Sequence, residues 1–248
     1  MQHIKQPKIF ISHSSKDVQY VEEIVDILKS MNVPDDCIFC SSVAGYGIPV
    51  GETIFDYLKK QFDEYNLHVL LIHSKNYYSS AVSLNEMGAA WVLKNLHTSI
   101  LLPGFNYGDM SGIIGASEIA IKLDDPDAAG LKDKLNQFKE QIAGEFNVEA
   151  PNGTIWERTR NRFIDKIASI AESNNSEQEI SEESDLALHD GGFYYKKSEI
   201  MAGKKLRYCA ACYQNHKKLF PITQGAVKRD YFCTNCQMRY SAWTPPTT

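Results

Sequence analysis

Leu67-His-Val-Leu-Leu-Ile-His73 is a short, nearly unbroken apolar run. Strict alternation would mark a strand with one wet face, whereas an unbroken run marks a strand covered on both faces, as in a parallel sheet flanked by helices. Working outward, strand and helix candidates alternate. Upstream, Lys8-Ile-Phe-Ile11 is a short strand and Ser12 to Asp17 is a polar loop rich in helix-capping residue types. Val18 to Met31 places Val21, Ile24, Val25, Ile27 and Leu28 at helical spacing, Asn32 to Asp36 turns at Pro34, and Cys37-Ile-Phe-Cys40 is a second strand. Ser41 to Gly51 carries Gly45, Gly47, Pro49 and Gly51 and is a loop, and Glu52 to Tyr65 is a helix with Ile54, Phe55, Leu58 and Phe62 on one side. Downstream, Leu84 to Leu96 is a helix, Ser99-Ile-Leu-Leu102 a strand stopped by Pro103-Gly104, residues 105–117 a loop and Glu118 to Leu123 a fifth strand. Leu131 to Phe146 and Ile155 to Ala171 are two further helices. Five strands, mostly separated by helices, predict an α/β domain over residues 1–171. Its expected architecture is a doubly wound, flavodoxin-like, five-stranded parallel sheet with right-handed crossovers.

In such sheets ligands sit at the carboxyl ends of strands, where helices begin. Tyr77-Tyr-Ser-Ser-Ala-Val-Ser-Leu-Asn-Glu-Met-Gly-Ala-Ala-Trp91 puts Glu86 in the first turn of the helix after the central strand. The loops Ser12 to Asp17, Ser41 to Gly51 and Ser74 to Val82 lead to the same edge. Ser83-Leu-Asn-Glu86 also fits a capping box, in which Glu86 satisfies the amide of Ser83, and spacing alone leaves both readings open. Gly45-x-Gly47 is a weak phosphate-cradle signal. Cys37 and Cys40, three apart in a strand, point to opposite faces and are read as core cysteines.

Ile9-Phe-Ile-Ser-His-Ser-Ser-Lys-Asp17, Ile38-Phe-Cys-Ser-Ser42 with the glycine-bearing loop to Gly51-Glu52, and Ser74-Lys-Asn-Tyr77 through Leu84-Asn-Glu-Met-Gly-Ala-Ala90 together resemble bacterial TIR (Toll/interleukin receptor) domains. The resemblance covers roughly residues 7–171 and implies cleavage of NAD+ between nicotinamide and ribose, by hydrolysis or cyclisation, in anti-phage defence or signalling. It puts the family's catalytic glutamate on Glu86. One carboxylate suits the chemistry: nicotinamide leaves as a cationic group that needs no acid, and an anion stabilises the oxocarbenium-like ribose. The resemblance brings the Ser12-His13-Ser14 loop to the phosphates or ribose, and puts Ser42, Tyr46 and Tyr77 on the substrate side. It also implies self-association through TIR surfaces, with the loop to Gly51 packing on a neighbouring copy. Many family members have Trp four residues before the glutamate; here that position is Val82, so an aromatic wall must come from Tyr46, Tyr77 or Tyr78. The alternative reading of this domain is a non-catalytic TIR scaffold.

Glu172 to Gly192 has seven acidic residues, four serines and no Lys or Arg, and is read as a flexible linker, with a polar helix extending the previous one as the other reading. Residues 193–248 carry ten Lys/Arg against two Asp/Glu, although the whole chain of 248 residues has a net charge of −5. Cys209-Ala-Ala-Cys212 and Cys233-Thr-Asn-Cys236 are two C-x-x-C knuckles separated by 20 residues. That spacing predicts a four-cysteine zinc ribbon, with a structural metal because four thiolates leave no open position. Its lysines and aromatics suit either an unknown protein partner or a nucleic-acid ligand, as a sensing module. No run of about 18 apolar residues is present, so no membrane partner is expected. The N-terminus carries no apolar leader, and a cytoplasmic location is the expectation.

Overall fold

A computed structural model of the chain describes residues 5–49, 51–80, 83, 85, 86, 88, 96–110, 120–226 and 230–242. Val82, Trp91, Trp243, most of the helix predicted from Leu84 and the start of the fifth predicted strand lie outside the described residues, as do the side chains of Ile54 and Phe55. The chain divides into two compact units, residues 1–172 and 173–248.

The first unit is an α/β structure built on β1 (Pro7–Ser12), β2 (Ile38–Phe39), β3 (Asn66–His73), β4 (Leu96–Leu101) and β5 (Ile121–Lys122). All pairs are parallel, in the order β2-β1-β3-β4-β5. The apolar run is the centre of the sheet: every residue of β3 after Asn66 is buried. Its side chains alternate between two clusters. Leu70 and Ile72 join Ile9 and Ile11 of β1, helix α1 (Val18–Ser30), helix α4 (Ala128–Phe146) and helix α5 (Gly153–Asp185). Leu67, Val69 and Leu71 join Phe10, Leu58 of helix α2 (Ile54–Glu64) and Tyr77 of the short helix α3 (Lys75–Tyr78). Two apolar faces explain why the run does not alternate. α1 ends where the sequence predicts, at Met31, and Asn32 takes the left-handed conformation (φ 66°) that asparagine tolerates after a helix.

Several boundaries differ. β2 is two residues long, and Cys37 sits in a single helical turn before it, half-buried, so of these two cysteines Cys40 alone is fully buried in the core. Leu96, expected to end a helix, begins β4, because pairing with His68 of β3 extends the strand backward. Residues 172–192, read as a linker, hold regular structure. α5 continues to Asp185, and β6 (Leu186–His189) follows at once, paired antiparallel with β7 (Phe193–Lys196). Glutamate and glutamine are good helix formers, and no Gly or Pro interrupts the stretch before Gly191. Asp185 closes the helix end by accepting from the Ser198 amide (2.8 Å) and hydroxyl (2.5 Å).

The second unit holds two small antiparallel sheets, β6-β7-β8 and β11-β10-β9, with β8 (Tyr208–Cys209), β9 (Ile222–Gln224), β10 (Tyr231–Cys233) and β11 (Arg239–Tyr240). Helix α6 is Lys197–Met201 and helix α7 is Ala210–His216. The β6–β7 hairpin needs its glycines: Gly192 has φ 76°, and a Cβ on Gly191 would meet the Phe193 ring at 2.9 Å. The core of the unit is Phe193, Cys209, Cys212, Ile222, Cys233 and Tyr240.

Candidate functional site

Ser12 is the last residue of β1 and pairs in register with Leu71, so it stands at the carboxyl end of the sheet. Its hydroxyl donates to Glu86 Oε2 at 2.7 Å. Glu86 belongs to a helical stretch whose described residues are 83, 85, 86 and 88. Behind this pair lies Tyr77, fully buried, held by the cap in which its amide donates to Ser74 Oγ (3.0 Å). Its hydroxyl stands 3.2 Å from Ser12 Oγ and donates to the Ser83 carbonyl at 3.1 Å. When Glu86 is ionised, Ser12 donates its one O–H to the carboxylate. When Glu86 is protonated, it donates to Ser12, Ser12 to Tyr77, and Tyr77 to Ser83. Both charge states are therefore satisfied without moving a heavy atom. Burial pushes the Glu86 carboxyl up to about 7, and the Ser12 hydroxyl opposes that rise. The Ser83 amide donates to Ser80 Oγ (3.3 Å), so it already has a partner other than the capping-box carboxylate.

The next residue along β1, His13, anchors a second pair. A carbonyl only accepts, so the contact of Nδ1 with Ile11 O at 3.0 Å puts the proton on Nδ1. Nε2 of the neutral ring then accepts from the hydroxyl of Ser42. Burial lowers the His13 pKa, which keeps the ring neutral. Cys40 Sγ lies 4.0 Å from both His13 Nδ1 and Ser42 Oγ. Ser42 also lines an open recess of about 450 Å³ bordered by Val43, Gly45, Gly47, Ile48 and Pro49.

Asp17, at the end of the same loop, escapes a reading by motif. It looks like an N-cap, but its side chain makes no cap bond. The buried carboxylate instead accepts from Ser74 Oγ (2.5 Å) and Asn76 Nδ2 (2.7 Å), joining the loop after β1 to the loop after β3. Asp17→Ala is expected to destabilise the first unit by about 2–3 kcal/mol, because it deletes two charge-assisted bonds and strands two donors. Chemical denaturation checks this, with Asp17→Asn expected to fall between the two.

The remaining predicted positions separate. Tyr46 is turned away: its hydroxyl donates to Asp35 (2.8 Å), before β2 rather than after it. Tyr77 supports Ser12 from inside the core. Ser14 is buried at the start of a helical turn without a side-chain cap bond. Tyr78, one of the three candidates for an aromatic wall, stacks on Phe105 (5.4 Å, 10°) and on His73 (5.8 Å, 22°), neither of which the sequence reading picks out. Burial lowers the His73 pKa to about 4.

In the second unit the Sγ atoms of Cys209, Cys212, Cys233 and Cys236 all lie within 4.8 Å of one another. Cys209 and Cys236 are 3.6 Å apart, as are Cys212 and Cys233. Donors face the sulfurs: the Asn235 amide to Cys233 (3.3 Å), Asn235 Nδ2 to Cys212 (3.5 Å), the Cys212 amide to Cys209 (3.5 Å) and the Tyr240 hydroxyl to Cys209 (2.9 Å). This cluster can hold one metal ion. Of the aromatics that could stack on bases or instead form the ribbon's small core, Tyr240 is in the core, and Phe220 and Tyr231 pack against it. Arg207, buried, lies over the rings of Phe193 (5.3 Å) and Tyr231 (4.4 Å).

Among the described residues, no helix is long and apolar enough to cross a membrane. No protein-family profile matches the chain. It is 37% identical over 161 residues to the uncharacterized protein YddK of Bacillus subtilis (strain 168), an alignment that takes in 64% of this chain and 57% of that protein. The chain thus spans a little over half the length of the relative it matches.

Proposed function

We propose that the first unit is a doubly wound, flavodoxin-like domain of TIR type that cleaves the nicotinamide–ribose bond of NAD+, as a glycohydrolase or a cyclase. The strand order β2-β1-β3-β4-β5 agrees with the flavodoxin-like order. The observation that carries the reading is the pair formed by Glu86 and Ser12 at the carboxyl edge of the sheet. A carboxylate in a partly dry site acts strongly on a developing cation, because little water screens it. Ser12 orients that carboxylate, and Tyr77 orients Ser12. Ser12 is therefore a positioning residue in this reading, rather than a phosphate contact. Anti-phage defence or signalling is the setting that the TIR resemblance suggests.

The test is incubation of the concentrated full chain with NAD+, with products resolved by chromatography and mass. Nicotinamide release is expected, with ADP-ribose marking a hydrolase and a cyclic product a cyclase. Release that persists undiminished in Glu86→Gln would remove the basis of the proposal. Ser12→Ala deletes the donor that holds the Glu86 pKa down, so the acid limb of the rate profile is expected to move to higher pH. Activity at pH 7 is then expected to drop roughly tenfold, with partial recovery at pH 9.

For the second unit we propose a structural zinc ribbon. Four thiolates around tetrahedral zinc at about 2.3 Å place sulfurs roughly 3.8 Å apart, close to the spacing of the two cysteine pairs. Cys209, Cys212, Cys233 and Cys236 would hold the ion, which supplies folding energy to a unit whose apolar core is small.

A further inference from the structure

Glu86 is not the only reactive group at this edge. Its partner Ser12 and the imidazole of His13 are consecutive in the chain, about 3.8 Å apart at Cα. His13 in turn carries Ser42. The arrangement has three parts: a serine hydroxyl, a neutral imidazole nitrogen that accepts its proton, and the Ile11 carbonyl that fixes the tautomer. That is the geometry of an activated nucleophile, with base and orienting group in place. Ser83, on the same helical stretch as Glu86, donates to the His13 carbonyl at 3.2 Å and locks this second pair to the first. Glu86 also acts electrostatically on Cys40, whose sulfur touches both His13 and Ser42. Ser42 borders the recess, so its hydroxyl can be reached from outside.

We infer that Ser42, with His13 as its base, is an ADP-ribose acceptor, so that the chain modifies itself at this serine. The inference rests on the NAD+ reading above and adds a second fate for the ribosyl group. Ser42 Oγ forms a bond to ribose C1′ while the C1′–nitrogen bond to nicotinamide breaks. The electron pair of that bond leaves with nicotinamide, which departs neutral. The serine proton passes to His13 Nε2 and then to water. NAD+ and the serine hydroxyl thus give O-ADP-ribosyl serine, nicotinamide and one proton, with no other reactant needed. Glu86 stabilises the cationic ribose during the exchange, and the adduct then fills the site it came from.

The experiment incubates the full chain with NAD+ and measures nicotinamide by chromatography and the protein by intact mass and peptide mapping. The expected result is nicotinamide release with one ADP-ribosyl group per chain, mapped to Ser42 and stable to neutral hydroxylamine, which would cleave an ester on Glu86. Ser42→Ala is expected to lose the adduct, and His13→Gln to lower the adduct formed per nicotinamide released by at least tenfold. Ser42→Thr, which keeps a hydroxyl, is expected to retain part of it. Nicotinamide release by the wild type without a mass gain, or a gain that maps elsewhere or is cleaved by hydroxylamine, would overturn this inference and leave the NAD+ reading standing. Absence of both would overturn the two together.

Discussion

Glu86→Gln is expected to make the first unit more stable at pH 8 while abolishing NAD+ turnover. The two effects share one cause. Burial raises the carboxyl from its ordinary value of 4.5 to about 7 in the folded chain. Between those values the folded state keeps a proton that the unfolded state has released, so wild-type stability falls as pH rises through the window. Below about 4.5 both states are protonated and there is no penalty. Above about 7 the penalty is complete, on the order of 3 kcal/mol for this shift. Glutamine has no such charge. The variant should match wild type near pH 4.5, gain about 1–3 kcal/mol by pH 8, and lose turnover by a factor on the order of 10³. Thermal unfolding at several pH values, beside nicotinamide release, reads both. A Glu86→Gln chain that is no more stable than wild type at pH 8 would mean that the carboxylate is not held in a dry site.

The second large effect concerns the cysteine cluster. Purified chain is expected to carry one equivalent of zinc, and its removal by a strong chelator is expected to unfold residues 173–248. Structural zinc contributes roughly 10–16 kcal/mol of apparent binding free energy in small modules, more than an unaided core of this size can replace. Hydrogen exchange checks the outcome. Amides of β7, β8 and β10 should lose protection on chelation, while those of β1 and β3 keep theirs. Cys233→Ser should behave like the chelated protein. A metal-free second unit with undiminished protection would show that its small sheets stand without an ion.

Some of this was readable in the sequence because it is local. The apolar run Leu67 to His73 announces a strand covered on both faces, and the two knuckles announce four converging sulfurs through spacing alone. Glu86 stood out because a carboxylate just after the central strand falls where parallel sheets bind ligands. What escaped depends on register between distant segments. Ser12 meets Glu86 across 74 residues, and Asp17 meets Ser74 across 57. Neither pairing has a local signature, so the sequence placed Ser12 only in a loop near the substrate and Asp17 only in a stretch of capping residue types. Tyr77 looked like a substrate contact because its burial is decided by α3 folding back on the sheet. Tyr46 looked like a substrate contact because its partner, the Asp35 carboxylate that accepts its hydroxyl, lies on the far side of β2 in the sequence. For the helical stretch to Asp185, the second of the two readings holds: acidic composition suggests a solvated chain, but its glutamates and glutamine favour a helix and Ser198 donates to Asp185 at its end.

The central claim is that an ionised Glu86 cleaves NAD+. The most direct measurement is the pH dependence of kcat/KM for nicotinamide release by the wild-type chain from pH 5 to 9, which reports the free protein's essential groups. An acid limb with a midpoint near the Glu86 value of about 7 is expected, shifted upward in Ser12→Ala. A limb near 4.5, where an ordinary carboxylate titrates, would contradict it, as would a profile left unmoved by Ser12→Ala.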